Sequence, residues 1–387
     1  MKKQKQVELY LHIPFCQQKC RYCDFLSAPA QEEIKDNYIK ALHEEIKQKS
    51  KAYETYSVPS IFIGGGTPSV FDGTTITKLM ETLHTFFSIE KNAEITIECN
   101  PGTLNREKAA HYRQAGINRI SMGLQSARDE ELKLLGRIHT FEAFLKNYDA
   151  LRSTGFDNIN IDLMFGLPMQ KLSHWEYTLE KTAALAPAHI SAYSLIIEEG
   201  TPFFQQYGED CRRREEGEQP IYLPDEDTER NMYDYTGQFL KSQGYLHYEI
   251  SNYAKPDKAC RHNIGYWKRQ NYLGLGLGSA SLIENTRFSN PRDLKTYLNG
   301  CYEPREQQAL TSQAQMEEFM FLGLRLLEGI SAKEFQETFQ VPLEYVYGNT
   351  IKKLCSQGLL KKAKDRLALT SRGISVSNYV MAEFLLS

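Results

Sequence analysis

The stretch Leu9-Tyr10-Leu11-His12-Ile13-Pro14-Phe15-Cys16-Gln17-Gln18-Lys19-Cys20-Arg21-Tyr22-Cys23 joins an apolar, strand-like run to three thiols within eight residues. A loop of that spacing can close on a [4Fe–4S] cube, supply three thiolates from Cys16, Cys20 and Cys23, and leave one iron open to an outside molecule. Two plainer readings compete. A zinc site needs a fourth ligand at suitable spacing, and no second Cys-x-x-Cys and no His-x₃₋₅-His follows in the chain. A redox dithiol would use two of the three cysteines and leave Cys16 without a role.

The 387 residues suffice for more than one domain, and the formal net charge of −3 gives no electrostatic argument for nucleic acid. Of eight cysteines, those at 99, 211, 260, 301 and 355 are scattered. This is unlike the framework of a small secreted disulfide protein and points to a reducing interior. The basic N-terminus is followed by an apolar stretch too short for a signal peptide or a membrane span. A cytoplasmic protein is expected, peripheral at a membrane at most.

From residue 7 to about 200, β-rich runs (7–13, 60–63, 94–98, 119–125, 158–164, 189–195) alternate with amphipathic stretches (31–47, 74–87, 106–115, 140–154, 173–186). Alternation of this kind implies an α/β fold with a parallel sheet and right-handed crossovers. Six units suit a partial (β/α)6 barrel, with ligands at the carboxyl ends of its strands. Three domains are expected: 1–235 as the barrel core, 236–305 as an extension, and 306–387 as a smaller α+β winged-helix-like module of three helices and a hairpin. The Gly274-Leu275-Gly276-Leu277-Gly278 run lacks dinucleotide-loop spacing and reads as a tight turn.

Polar residues gather at the expected strand ends. Gly64-Gly65-Gly66-Thr67 follows the second strand, and glycines there let a ligand approach the backbone closely. Glu98, Gln125 and Asp162 close or occupy later strands, and Arg137 carries a fork suited to an α-carboxylate. Asp162, in an apolar strand, needs a partner such as a ribose diol. Each of these groups alone could equally pair inside the barrel.

Cys-x₃-Cys-x₂-Cys, Gly-Gly-Gly-Thr-Pro, Ser121-Met122-Gly123-Leu124-Gln125 and Asp162-Leu163-Met164-Phe165-Gly166-Leu167-Pro168 together resemble the radical S-adenosylmethionine (SAM) superfamily. More narrowly, they resemble the oxygen-independent coproporphyrinogen III oxidases and their relatives. The resemblance implies that Cys16, Cys20 and Cys23 ligate the cluster and that SAM chelates the open iron. It implies that Tyr10 and Tyr22 line the SAM site, that Gly65, Gly66 and Thr67 hold the methionyl end, and that Glu98, Gln125, Arg137 and Asp162 complete the pocket. Reduction of the cluster would then cleave SAM, and an electron donor such as flavodoxin or ferredoxin is a partner.

Two departures separate the chain from the oxidases. They carry a cysteine two residues after the third ligand, where Phe25 stands here, and a longer segment before the cysteine loop. His262-Asn263-Ile264-Gly265-Tyr266-Trp267 suits heme by residue type: His262 as an axial ligand, Tyr266 and Trp267 as flat apolar faces, and Arg261, Lys268 and Arg269 for propionates. Cys260 is a candidate second ligand. A core histidine with packed aromatics fits the same residues. The motif also resembles the signature of a heme chaperone branch of the family. On that resemblance the expected function is to bind heme and transfer it to acceptor hemoproteins such as respiratory enzymes, with a homodimer as a candidate state. The alternative is coproporphyrinogen III dehydrogenation.

Overall fold

The computed structural model describes residues 4–386. Six strands, β1 (Glu8–Ile13), β2 (Tyr56–Gly65), β3 (Ser88–Cys99), β4 (Arg119–Gln125), β5 (Ile159–Phe165) and β6 (His189–Ser194), pair in consecutive order and in parallel. Side chains alternate across each strand. One set, including Leu9, Leu11, Ile61, Ile63, Ile95 and Ile97, joins the apolar core beneath the helices. The opposite set is mostly polar and faces inward.

The helices start where the sequence caps them. Asp72 and Asn105 accept hydrogen bonds from the backbone N–H of Thr75 (2.6 Å) and Lys108 (2.8 Å), opening helices Gly73–Phe86 and Arg106–Gln114. The first buries Ile76, Leu79, Met80 and Leu83, the spacing of one helical face.

Beyond β6 the chain adds β7 (Leu246–Glu249) and β8 (Asn252–Ala254), the latter antiparallel to β6. It then crosses to the other edge, where β9 (Tyr272–Leu275) lies parallel to β1. Half of the run read as a tight turn is therefore strand, and the turn itself falls at Gly276 and Gly278, both with positive φ. Three antiparallel strands, Ala280–Ile283, Thr286–Ser289 and Arg305–Ala309, extend this edge. The large sheet thus runs four residues past the expected boundary at 305, and helix Glu226–Ser242 spans the one expected at 235.

A second apolar core, including Met320, Phe335, Tyr347, Leu354 and Phe384, belongs to the C-terminal module. Its helices Ser312–Gly323, Ala332–Phe339 and Leu343–Ser356 pack on a three-stranded sheet whose middle strand is Arg366–Leu369. This is a winged-helix-like arrangement. Among the described residues no helix is long and apolar enough to cross a membrane.

Candidate functional site

The cysteine loop leaves the carboxyl end of β1 and is fixed by backbone bonds rather than by its own side chains. Cys16 N–H donates to Ala28 O (3.2 Å), Arg21 N–H to Leu135 O (3.0 Å), and Arg21 O accepts from Phe203 N–H (3.0 Å). All three thiols are free, half-buried, and line one cavity of about 420 Å³ at the barrel mouth. Burial pushes the Cys23 thiol up, and the neighbouring Cys20 and Cys16 push it further. In a cubane each thiolate binds its own iron, so the ligands surround a shared volume. No trio of His, Cys, Asp or Glu among the described residues converges on a single ion.

The glycine run forms the neighbouring wall. Gly66 N–H donates to Ile13 O (2.8 Å) and Thr67 N–H to Phe15 O (2.7 Å), which laces β2 to the start of the cysteine loop. A Cβ on Gly66 would lie 2.7 Å from Phe15 O, and one on Gly65, whose φ is +110°, would meet the His12 ring at 2.4 Å. Only glycine fits either position. Thr67 Oγ1 sits 3.6 Å from the Cys16 sulfur.

The charged residues are half-buried around this wall. Gly65 N–H donates to Glu98 Oε2 (3.0 Å), yet burial, reinforced by Asp162, pushes the Glu98 carboxyl up to about 8. Asp162 accepts from Ser121 Oγ (3.0 Å) and Asn160 Nδ2 (2.7 Å), and burial raises its pKa. Arg137 points Nη1 at the Cys20 sulfur (3.5 Å), and Nη2 donates to Gly123 O (2.5 Å) and Asn100 Oδ1 (2.8 Å). Gln125 adopts a left-handed backbone, φ 71°, and is buried at the cavity wall. A non-glycine residue in that region stores strain of a kind common at binding sites.

Tyr22, Gly65, Gly66, Thr67, Glu98, Gln125, Arg137 and Asp162 thus share one cavity with the three cysteines. Tyr10 lies one layer deeper, its hydroxyl within 3.1 Å of His12 Nδ1. The sequence reading passed over Asn100, which donates to Thr67 Oγ1 (2.7 Å) and accepts from Arg137. Asn100 directly follows β3, so the strand-end rule that singled out Glu98 could have found it.

The second expected group is elsewhere. Helix Arg261–Trp267 sits at the amino ends of the strands, as a floor to the barrel. His262 is 1% exposed. Its Nδ1 lies 2.8 Å from Ser60 Oγ and its Nε2 3.1 Å from Tyr266 Oη, and its ring stacks on Phe62 with centroids 5.3 Å apart. Cys260 is fully buried with its thiol toward Glu94 (3.6 Å), and Arg325 covers the Trp267 ring at 4.3 Å. In this arrangement both imidazole nitrogens are engaged and one face of the ring lies against Phe62.

A parallel barrel whose mouth gathers three thiols, a glycine cradle, two half-buried carboxyls and an arginine defines a radical SAM protein. The superfamily's profile matches residues 10–182, and that of the HemN C-terminal domain matches residues 310–376. The chain is 34% identical to the heme chaperone HemW of Lactococcus lactis subsp. lactis (strain IL1403), covering 99% of this chain and 98% of that one. It is 34% identical to the HemW of Bacillus subtilis (strain 168), with 97% and 98% covered, and 33% identical to that of Escherichia coli (strain K12), with 100% of both. The chain belongs to the HemW family. The solved structure of the radical SAM enzyme coproporphyrinogen III oxidase (HemN) from Escherichia coli shares the fold, with a TM-score of 0.84 at 23% identity over 99% of this chain and 91% of that one.

Membership of the superfamily implies a [4Fe–4S] cluster and SAM, and the residues fit both. The thiols surround a cavity, Gly65 and Gly66 leave the backbone bare, and the carboxyls of Glu98 and Asp162 and the guanidinium of Arg137 offer hydrogen-bonding groups to a zwitterion and a diol. When bound, the cluster supplies an electron to SAM.

Proposed function

We propose that this protein is a heme chaperone that binds heme and passes it to acceptor hemoproteins such as respiratory enzymes, with the cluster and SAM serving that task. The observation that carries the reading is the full-length relationship, at 33–34% identity, to proteins named heme chaperone HemW. Phe25, where the resembling oxidases carry a further cysteine, supports it. The likeness to HemN lies at an identity that speaks for fold alone.

On this reading Cys16, Cys20 and Cys23 hold the cluster. Gly65, Gly66, Thr67, Glu98, Gln125, Arg137 and Asp162, with Tyr22 above and Tyr10 behind, hold SAM. An electron donor such as flavodoxin or ferredoxin would serve the cluster.

The test is a heme titration of anaerobically reconstituted protein, followed by transfer to an apo-hemoprotein. A saturable heme spectrum that moves to the acceptor is expected. Absence of saturable binding, or turnover of coproporphyrinogen with SAM and reductant, would overturn the reading.

A further inference from the structure

We propose that His189 is the positioning residue for the ribose end of the SAM site: it orients Asn160, Asn160 orients Asp162, and Asp162 so held selects a nucleoside that keeps its ribose hydroxyls. The inference rests on the reading of the cavity as a SAM site. It goes beyond that reading by assigning a residue that does not line the cavity and by giving a basis for selectivity.

His189 opens β6 and stands beside Asn160 of β5 in the parallel register. Both are buried. Asn160 and Asp162, two residues apart, share the inward face of β5, and Asp162 lies nearer the carboxyl end, where it lines the cavity of the three thiols.

The hydrogen bonds fix the protons of this group. The Asn160 amide nitrogen donates to Asp162 Oδ1 (2.7 Å) and to Ser121 Oγ (2.7 Å), and the amide oxygen accepts from Ser191 Oγ (3.1 Å). The reverse orientation would set an amide oxygen against a carboxylate, acceptor against acceptor. His189 Nδ1 lies 2.6 Å from that same amide oxygen, so Nδ1 carries the proton. Nε2 is then the acceptor, and the Tyr248 hydroxyl, 2.8 Å away, donates to it. The Tyr248 oxygen in turn accepts from Cys260 N–H (3.2 Å), just ahead of the floor helix. Burial, with Arg119 adding to it, holds the imidazole pKa well below its ordinary value and the ring neutral.

Every bond from Cys260 to Asp162 therefore donates in one direction, and each polarises the next. The chain ends on a carboxylate that accepts once at each oxygen, at Oδ1 from Asn160 and at Oδ2 from Ser121 (3.0 Å). A carboxylate has about four lone-pair sites. The site left on each oxygen matches one hydroxyl of a vicinal diol. Burial raises the Asp162 pKa, and the bonds from Asn160 and Ser121 work against it, toward the ionised form that only accepts. A carboxyl turned or protonated would lose an acceptor, and with it the preference for the diol.

The experiment is anaerobic equilibrium dialysis of SAM, and of its 2′,3′-dideoxyribose analogue, against cluster-loaded protein. Iron, sulfide and circular dichroism are read on every sample. Asparagine places an amide N–H where Nδ1–H stands, whereas glutamine places its amide at the level of Nε2. Wild type should bind SAM at least roughly tenfold more tightly than the analogue, the size of a lost hydrogen bond to a charged acceptor. His189→Gln should weaken SAM about tenfold and leave the analogue within about twofold of wild type. His189→Asn should keep the wild-type preference. Four outcomes overturn the assignment and leave the SAM site standing. These are unchanged SAM affinity in His189→Gln, equal weakening of both ligands in that variant, a folded His189→Asn that behaves as His189→Gln does, and wild type with no preference. The last needs no variant to fold. Wild type that loads its cluster and binds no SAM overturns both readings.

Discussion

Arg137 holds its Nη1 3.5 Å from the sulfur of Cys20 while its other terminal nitrogen is spent on Gly123 and Asn100. One guanidinium therefore joins a cluster-ligand position to the ends of two strands. An N–H directed at a cluster sulfur stabilises the more negative, reduced state. Arg137→Lys keeps the charge but loses the fork. The variant should load iron normally, show a more negative cluster potential, and bind SAM roughly tenfold more weakly, the size of one charge-assisted hydrogen bond. Redox titration and equilibrium dialysis decide this, and an unshifted potential would remove the sulfur contact from the account.

Gly66 tests the cradle. An alanine methyl at this position meets backbone oxygens of Phe15 and Ile13 at 2.7 and 2.9 Å, and backbone yields less than a side chain. Gly66→Ala should cost about 1–3 kcal/mol of stability and abolish measurable SAM binding. Wild-type SAM affinity in a folded Gly66→Ala protein would show that the methionyl group is held elsewhere.

Cluster and heme should separate genetically. Cys20→Ser removes one of three thiols around the cavity and should prevent cluster assembly, seen as loss of the iron–sulfur absorbance. The heme reading does not rest on that thiol, so heme should still titrate. Simultaneous loss of both ligands from a protein with unchanged circular dichroism would mean that the cluster itself builds the heme seat.

The floor predicts a pH signature. Burial pushes the Glu8 carboxyl up to about 8, and burial, with Arg119 adding to it, pushes His262 down to about 3. The two groups lie 3.8 Å apart and are both uncharged at neutral pH. Between 4.5 and 8 the folded state keeps a proton on Glu8 that the unfolded state releases, so this group's contribution falls as pH rises. Below 6.5 the unfolded chain protonates His262 while the folded one refuses the proton, so that contribution falls as pH drops toward 3. The two slopes oppose each other between 4.5 and 6.5, and above it Glu8 acts together with Glu98, which burial also raises to about 8. Stability should decline from pH 6.5 to 8, and Glu8→Gln should make that limb shallower by at most roughly 1.4 kcal/mol per unit. A limb unchanged by the substitution would remove Glu8 from the account.

His262 is the residue whose surroundings the sequence could not show. Residue types and spacing suit a heme site and a packed floor equally well, and its burial is set by Ser60 and Phe62 from a distant strand. The six barrel strands were legible as short β-rich runs, and the helices as the amphipathic stretches between them. The cluster cavity was legible because its members follow strand ends, a local signal. The strand Tyr272–Leu275 was not, since its last two residues open the glycine-rich run Gly274–Gly278, which looks like a turn until β1 is there to pair with it.

That late strand has a consequence for how the protein is made. β1 carries the cysteine loop and is flanked by β2 on one side and by Tyr272–Leu275 on the other. Synthesis runs from the N-terminus and domains fold as units, so the ribosome must release about seventy per cent of the polypeptide, 275 of 387 residues, before this neighbour exists. Iron delivered earlier would meet a nascent hook with one open edge. A metal centre on this loop would therefore find its completed strand bed only late in synthesis.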